Sequence, residues 1–427
     1  MLDLQHRLDE LEGLGLYRRM RLVSGPQGPH VVLDGKPVLL LCSNNYLGLA
    51  DHPRVREAAA DAALRWGAGA GASRLVSGNM TLHRRLEERL AAFKGTQSAL
   101  LFGSGYLANV AVIPALARRG EIVFSDELNH ASIIDGCRLS GAETFVYRHG
   151  DVDHLAWGLR NADGRAALIV TDGVFSMDGD VAPLEEIVAL ASHHDVRVMV
   201  DDAHGTGTQG PGGRGVVAAA GLEGEIDVLI GTLGKALGSY GAFVACDAAL
   251  ARYLVNSARA LIFSTGLPPA AAAAAMAALE LVTEQPRRVE RLAVNAATLR
   301  AALAREGFDV AGSETQIVPL IVGDAGQALR ICEAALERGV FAQAIRPPTV
   351  PEGTSRLRLA VMASHTRSEL CDAARVIARA TLHEGLRPTA AGPLAAARSV
   401  DAVRSPDAAR SPRVFDGDAQ ERMPRAA

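Results

Sequence analysis

The chain is predicted to be an α/β protein built on a mostly parallel sheet with helices on both faces. Between about Ser43 and Thr265, short apolar runs alternate with stretches of helical periodicity, as strand–helix–strand crossovers require. Four segments rich in Gly, Ser, Asp, His and Lys begin where apolar runs end, which is where open α/β sheets collect their ligands. At 427 residues, 48% hydrophobic and 22% charged, the chain is long enough for two or three full-sized cores.

The elements follow in order. Residues 1–43 are expected to form an N-terminal arm. It holds a short amphipathic helix carrying Leu4, Leu8 and Leu11, then strands at Val31–Leu33 and Val38–Leu41 joined by the hairpin signal Asp34-Gly35. Residues 44–267 are expected to form the large domain. Within it, Leu82, Leu86, Leu90 and Phe93 share one face of a helix over Thr81–Phe93. Strands are expected at Ser98–Phe102, Glu121–Phe124, Glu143–Tyr147, Ala167–Thr171, Arg197–Val200, Val228–Gly231 and Ala242–Ala245. Pro268-Pro269 opens a long Ala-rich helix, since proline at a first helical position sacrifices no hydrogen bond. Residues 268–387 then supply that linking helix and a smaller C-terminal α+β domain, with strands at Gln316–Val322 and Arg356–Val361 and a helix at Ala328–Arg338. Residues 388–427 shift to Ala, Arg, Ser, Pro and Asp without apolar periodicity, the composition of a disordered tail.

Composition narrows the partners. A net charge of −4 offers no basic field for a nucleic acid. Five scattered cysteines without C-x-x-C spacing suit reduced thiols in a cytoplasmic protein, not a disulfide frame or a zinc site. The first 21 residues mix charges throughout, unlike a secretory leader, and the apolar stretch 268–282 is too short to span a bilayer. No membrane partner is expected.

The four segments are Phe102–Tyr106, Asp172–Ser176, Asp201–His204 and Gly231–Lys235. Gly103-Ser104-Gly105 before a helix can cradle a phosphate with backbone N–H groups, although a plain strand-to-helix turn looks the same. Lys235 in a glycine-lined loop, with Thr232 three residues before it, suits an amine that must reach a carbonyl carbon. Asp201 suits a carboxylate that holds a positive charge on a heterocycle; a solvated strand end or helix cap is the alternative. His204 beside Asp201 suggests a metal pair, but no third ligand follows at a recognisable spacing, so no metal is expected. The runs Gly67–Ala72 and Gly210–Gly215 fit G-x-G-x-x-G or its variant, yet neither leaves a strand and enters a helix within a compact βαβ unit. Both are read as flexible loops near the site.

Taken together, Asn129-His130-Ala131-Ser132, Phe175–Asp180, Val200–Gly205 and Thr232-Leu233-Gly234-Lys235 resemble the α-oxoamine synthases. The resemblance runs in order over roughly residues 1–385. It implies a fold-type I pyridoxal-phosphate enzyme that condenses an amino acid with an acyl thioester and loses carbon dioxide. It further implies Lys235 as the covalent anchor and acid/base, Asp201 as partner of the pyridinium nitrogen, and His130 against the ring face. His204 and Ser176 would bond its phenolic oxygen. Thr232 and the N–H groups of Gly105 and Tyr106 would hold the phosphate, and Ser264 or Thr265 would reach a phosphate across a homodimer interface. Asn44, Arg358, Arg18 and Thr349 correspond to substrate-contacting positions, as His130 also does. The stretches Ile262–Pro269 and Ala344–Pro351 look most like the members that use L-alanine and a pimeloyl thioester, on CoA or on an acyl carrier protein. Glycine- and serine-using members, and a non-catalytic subunit of this fold, are the alternatives.

Overall fold

The computed structural model describes residues 3–310 and 312–387; the tail expected from residue 388 onward lies outside the described residues. Seven strands form the central sheet in the order Ser98–Phe102, Ala242–Cys246, Val228–Thr232, Arg197–Asp201, Ala166–Asp172, Ile122–Asp126, Glu143–Tyr147. All seven were expected, each to within about two residues at its ends. The neighbouring pairs from Val228–Thr232 out to Glu143–Tyr147 are parallel. Ala242–Cys246 runs antiparallel to both of its neighbours. Ser98–Phe102 therefore points the same way as Val228–Thr232, and six carboxyl ends open on one edge. Strands such as Val228–Thr232 and Ile122–Asp126 are buried along their whole length, which is why they read as continuous apolar runs without alternation.

Helices Gly105–Leu116 and Ala131–Ser140 pack tightly against each other over the sheet. A Cβ at Gly136 would come within 2.8 Å of Ile113 Cδ1 and 3.0 Å of the Asn109 carbonyl. Glycine there lets the helices approach, and the approach brings Asn109 beside Ser132. The helix Pro269–Glu284 begins at the expected proline pair.

The small domain carries a three-stranded antiparallel sheet ordered Ile317–Gly323, Ser355–Ala360, Gln343–Ile345. Arg356 and Arg358 lie two residues apart on its central strand and so share a face. They meet the hairpin turn closed by the Val174–Val181 bridge. Arg356 donates to Asp178 and the Met177 carbonyl, and Arg358 Nε donates to the Ser176 carbonyl. The two domains are thereby joined beside the carboxyl edge of the large sheet.

The arm departs from expectation in two ways. Its hairpin forms, with Asp34 and Gly35 both at positive φ as a tight turn requires. However, Val340–Phe341 adds a parallel strand to Lys36–Leu40, so the arm and the C-terminal domain share one sheet. The helix Leu4–Gly13 forms but buries none of its residues, leaving Leu4, Leu8 and Leu11 exposed. No described helix is long and apolar enough to cross a membrane.

Candidate active site

Asp172, Asp201 and Thr232 each end a parallel strand, and Asp172 pairs in register with Asp201. Asp201 is 5% exposed. One carboxylate oxygen accepts Asn109 Nδ2 at 2.6 Å and the other accepts the Ala203 N–H at 3.0 Å. Asn109 also donates to Ser132 Oγ at 2.9 Å, and Ser132 Oγ meets His130 Nδ1 at 2.7 Å. His130 is fixed at its backbone too, where its N–H donates to Asp172 Oδ2 at 2.9 Å. Asp201 is thus held rigidly on one side, as a carboxylate that must meet a cationic heterocycle should be.

The turn after Asp201 carries His204, which is buried. Its Nε2 lies 2.8 Å from Lys235 Nζ and its Nδ1 lies 2.6 Å from the Tyr46 hydroxyl. Gln316 Nε2 donates to the His204 carbonyl at 2.8 Å, pinning the backbone from the small domain. Tyr46 contacts Asn44 Oδ1 at 2.9 Å, and Arg358 reaches both, at 3.2 Å to Tyr46 and 3.3 Å to Asn44. One continuous network therefore runs from the lysine to the arginine.

Electrostatics prepare the cluster for proton exchange. Burial pushes the half-buried Lys235 amine down to about 8, against the pull of Asp201 and Asp172. Burial, with Lys235 and Arg358 nearby, holds His204 well below the usual histidine range, so its ring is neutral. Burial also lowers His130, with Asp201 opposing. Asp172 is pushed well up by burial and by the neighbouring Asp201 charge, as two adjacent buried carboxyls require.

The start of the first sheet-covering helix carries free backbone donors. Helix Gly105–Leu116 starts at the carboxyl edge; Ser104 Oγ caps the Leu107 N–H, and the N–H groups of Gly105 and Tyr106 have no intrahelical partner. A Cβ at Gly105 would meet nothing within 4 Å, so the approach is open. Thr232 Oγ1 sits near, bonded to the Gly241 carbonyl and the Gly234 N–H at 3.2 Å each.

Gly105, Tyr106, His130, Ser176, Asp201, His204, Thr232, Lys235, Asn44 and Arg358 thus gather at one edge. Arg18 donates to the Pro347 carbonyl at 3.2 Å, and Thr349 is exposed on that same loop. Ser264 and Thr265 lie on an outer loop whose Thr265 bridges to Ser73. Asp172 and Ser132 fell within the segments singled out in the sequence but were given no role, and no role was read for Asn109, Tyr46 or Gln316. Asn109 left a signal as a lone amide in an otherwise apolar helix.

Behind the site, His149 bridges Asp126 at 3.0 Å and Asp180 at 2.7 Å, with its ring edge-on to Phe175 at 4.4 Å. Burial opposes its charge, but the two carboxylates outweigh burial and raise it to about 10. A histidine raised above its unfolded value near 6.5 gives its full stabilisation below that pH and loses it as pH climbs through about 10. His149→Gln should therefore cost on the order of a few kcal/mol at pH 6 and progressively less by pH 10, read as urea midpoints. An equal cost at both pH values would refute the bridge.

Residues 36–377 match the family model described as aminotransferase class I and II. A protein of Citrifermentans bemidjiense named 8-amino-7-oxononanoate synthase is 55% identical over 375 residues, covering 86% of this chain and 96% of that relative. A structure of SPT with PLP superposes with TM-score 0.85 at 35% identity, covering 90% of this chain and 98% of the other. An 8-amino-7-oxononanoate synthase from Francisella tularensis superposes at 0.71 and 26% identity, covering 82% and 99%.

Proposed function

The chain belongs to the class I and II aminotransferase family and, within it, to the α-oxoamine synthases, and from that premise we propose that it joins L-alanine to a pimeloyl thioester. The products are 8-amino-7-oxononanoate, carbon dioxide and the free thiol, a step of biotin biosynthesis. The observation that carries the substrates is the 55% identity to a synthase of that name across nearly the whole of both chains. The cofactor is pyridoxal phosphate, which when bound supplies a carbonyl for an amine and a ring that takes up electrons.

The residues divide the work. Lys235 would be the covalent anchor and then, its free amine lowered by burial, would move the proton at Cα of alanine. Asp201, its own geometry set by Asn109, would keep the ring nitrogen protonated. His130 would lie against the ring, while His204 and Ser176 would bond its phenolic oxygen. Thr232, Gly105 and Tyr106 would hold the phosphate, where the helix N-terminus favours a dianion. Arg358 presents a guanidinium fork held by Ser176 and Asn44, suited to two parallel bonds with the alanine carboxylate. That carboxylate leaves as carbon dioxide once acylation has placed a carbonyl β to it.

We further propose that Ser264 and Thr265 complete the phosphate site of a partner in a homodimer. Met20, Val76, Tyr240 and Phe263 are large apolar side chains left exposed in the protomer, and Phe263 adjoins these two residues. We also propose Arg18 and Thr349 as substrate-contacting residues.

A serine-using reading draws on the better superposition with SPT. Steady-state assays of L-alanine, glycine and L-serine, each with pimeloyl-CoA, pimeloyl carrier protein and acetyl-CoA, separate the readings. L-alanine with a pimeloyl donor should exceed the other pairs in kcat/KM by at least about 10-fold, equivalent to about 1.4 kcal/mol. A preference for serine or glycine overturns the assignment. Sedimentation at assay concentration should give the mass of two chains, and a monomeric active species removes the dimer.

A further inference from the structure

Tyr46 is fully buried, and its hydroxyl stands at the junction of the site. Its nearest polar partners are His204 Nδ1 at 2.6 Å, Asn44 Oδ1 at 2.9 Å and Arg358 Nη2 at 3.2 Å, with the Gln316 amide beyond them. A phenol has one proton, and the three neighbours cannot all be satisfied in the same way. Arg358 only donates, so it takes a lone pair of the hydroxyl. Asn44 Oδ1 only accepts, so it competes with His204 for the single proton.

The competition has two outcomes. If Tyr46 donates to Asn44, His204 must donate from Nδ1 to Tyr46, and its Nε2 becomes the acceptor for Lys235 Nζ–H. If Tyr46 donates to His204 Nδ1, the neutral ring carries its proton on Nε2 and presents a donor at the Lys235 side. Asn44 Oδ1 also receives both terminal nitrogens of Arg358, at 3.3 Å each. A carboxylate arriving at Arg358 competes for those nitrogens and so changes what Asn44 offers to Tyr46.

We propose that Tyr46 is a positioning residue that sets the tautomer of His204 and links it to Arg358, so that a carboxylate bound at Arg358 changes whether the ring nitrogen on the Lys235 side, Nε2, carries the proton. The inference rests on the reading of Arg358 as the amino-acid carboxylate site. Burial keeps His204 neutral, which is the condition under which a tautomer, and not a charge, is at stake.

The test uses the holoenzyme labelled with 15N-histidine, with the His204 signals assigned by their loss in His204→Gln. Propionate is the probe, since it has a carboxylate but no amine to react with the cofactor. In the wild type, saturating propionate should exchange the protonated-type and unprotonated-type 15N shifts between Nδ1 and Nε2 of His204. In Tyr46→Phe, which keeps the buried ring and removes only the hydroxyl, the shifts should not respond. That variant should also raise KM for L-alanine about 10-fold with a smaller loss in kcat, at unchanged cofactor content. A merely structural role would instead lower cofactor content and thermal midpoint and leave KM in place. The wild-type titration needs no variant: His204 shifts that ignore propionate overturn the proposal even if Tyr46→Phe does not fold. Wild-type turnover with L-alanine is measured separately, so failure of the proposal and failure of the substrate assignment are told apart.

Discussion

Lys235→Ala should abolish the visible-region absorbance that marks a lysine-bound cofactor and lower kcat by at least about 10³-fold, while leaving the fold intact. The magnitude combines loss of a positioned acid/base, typically 10²–10⁴-fold, with loss of the covalent anchor. The fold should survive because Lys235 sits in a loop after Val228–Thr232, and its one side-chain hydrogen-bond partner among the described residues is His204 Nε2. Removing it also relieves the cationic pressure on His204, which Lys235 helps to hold low. The histidine should then titrate closer to its ordinary range. The measurement is an absorption scan and a steady-state assay beside a circular-dichroism melt. A variant that keeps the absorbance band and its turnover would remove Lys235 from the chemistry.

The sheet and the four site segments were legible in the sequence for one physical reason. Parallel strands buried on both faces read as unbroken apolar runs, and the polar residue ending each run is what the sheet presents at its ligand edge. Asp201, Thr232 and the Gly103–Tyr106 turn could be placed that way. What stayed hidden depends on contacts across the chain. Asn109 reaches Asp201 from a helix 92 residues earlier, and Tyr46 reaches His204 across 158. Neither distance leaves a local pattern. The amphipathic helix Leu4–Gly13 shows the reverse case: its periodicity was correct, yet nothing among the described residues covers its leucines. The arm's sheet was incomplete in the sequence because the strand paired to Lys36–Leu40, Val340–Phe341, lies 300 residues away.

The run Gly210–Gly215, expected to be a flexible loop, has one end closed over a buried ion pair, which yields a second large effect. Lys94 Nζ, at the end of helix Thr81–Lys94, bonds Asp202 Oδ2 at 2.7 Å and the Arg214 carbonyl at 2.6 Å; the side chains of the pair are 1% and 0% exposed. Asp202 also accepts Thr206 Oγ1 at 3.0 Å and the Val216 N–H at 3.2 Å. A Cβ at Gly215 would fall 1.8 Å from Asp202 Oδ2, and one at Gly205 would fall 2.0 Å from Oδ1. Glycine stands at both positions because the chain must close around a buried carboxylate, not because a nucleotide passes there.

Lys94→Met fills similar volume but leaves the Asp202 carboxylate buried with neutral donors only. Breaking a buried pair from one side costs about 3–5 kcal/mol, and urea midpoints should report a loss of that size. Replacing both partners, as Lys94→Met with Asp202→Asn, should recover part of it, since the stranded charge is gone. The turn that Asp202 begins, with its carbonyl accepting the N–H groups of Gly205 and Thr206, is the turn that presents His204 to Lys235. Lys94→Met should therefore also weaken cofactor retention during dialysis, and the double variant should restore retention along with stability. A loss below about 1 kcal/mol in the single variant would place the pair among ion pairs that contribute little. The glycine run would then need another cause.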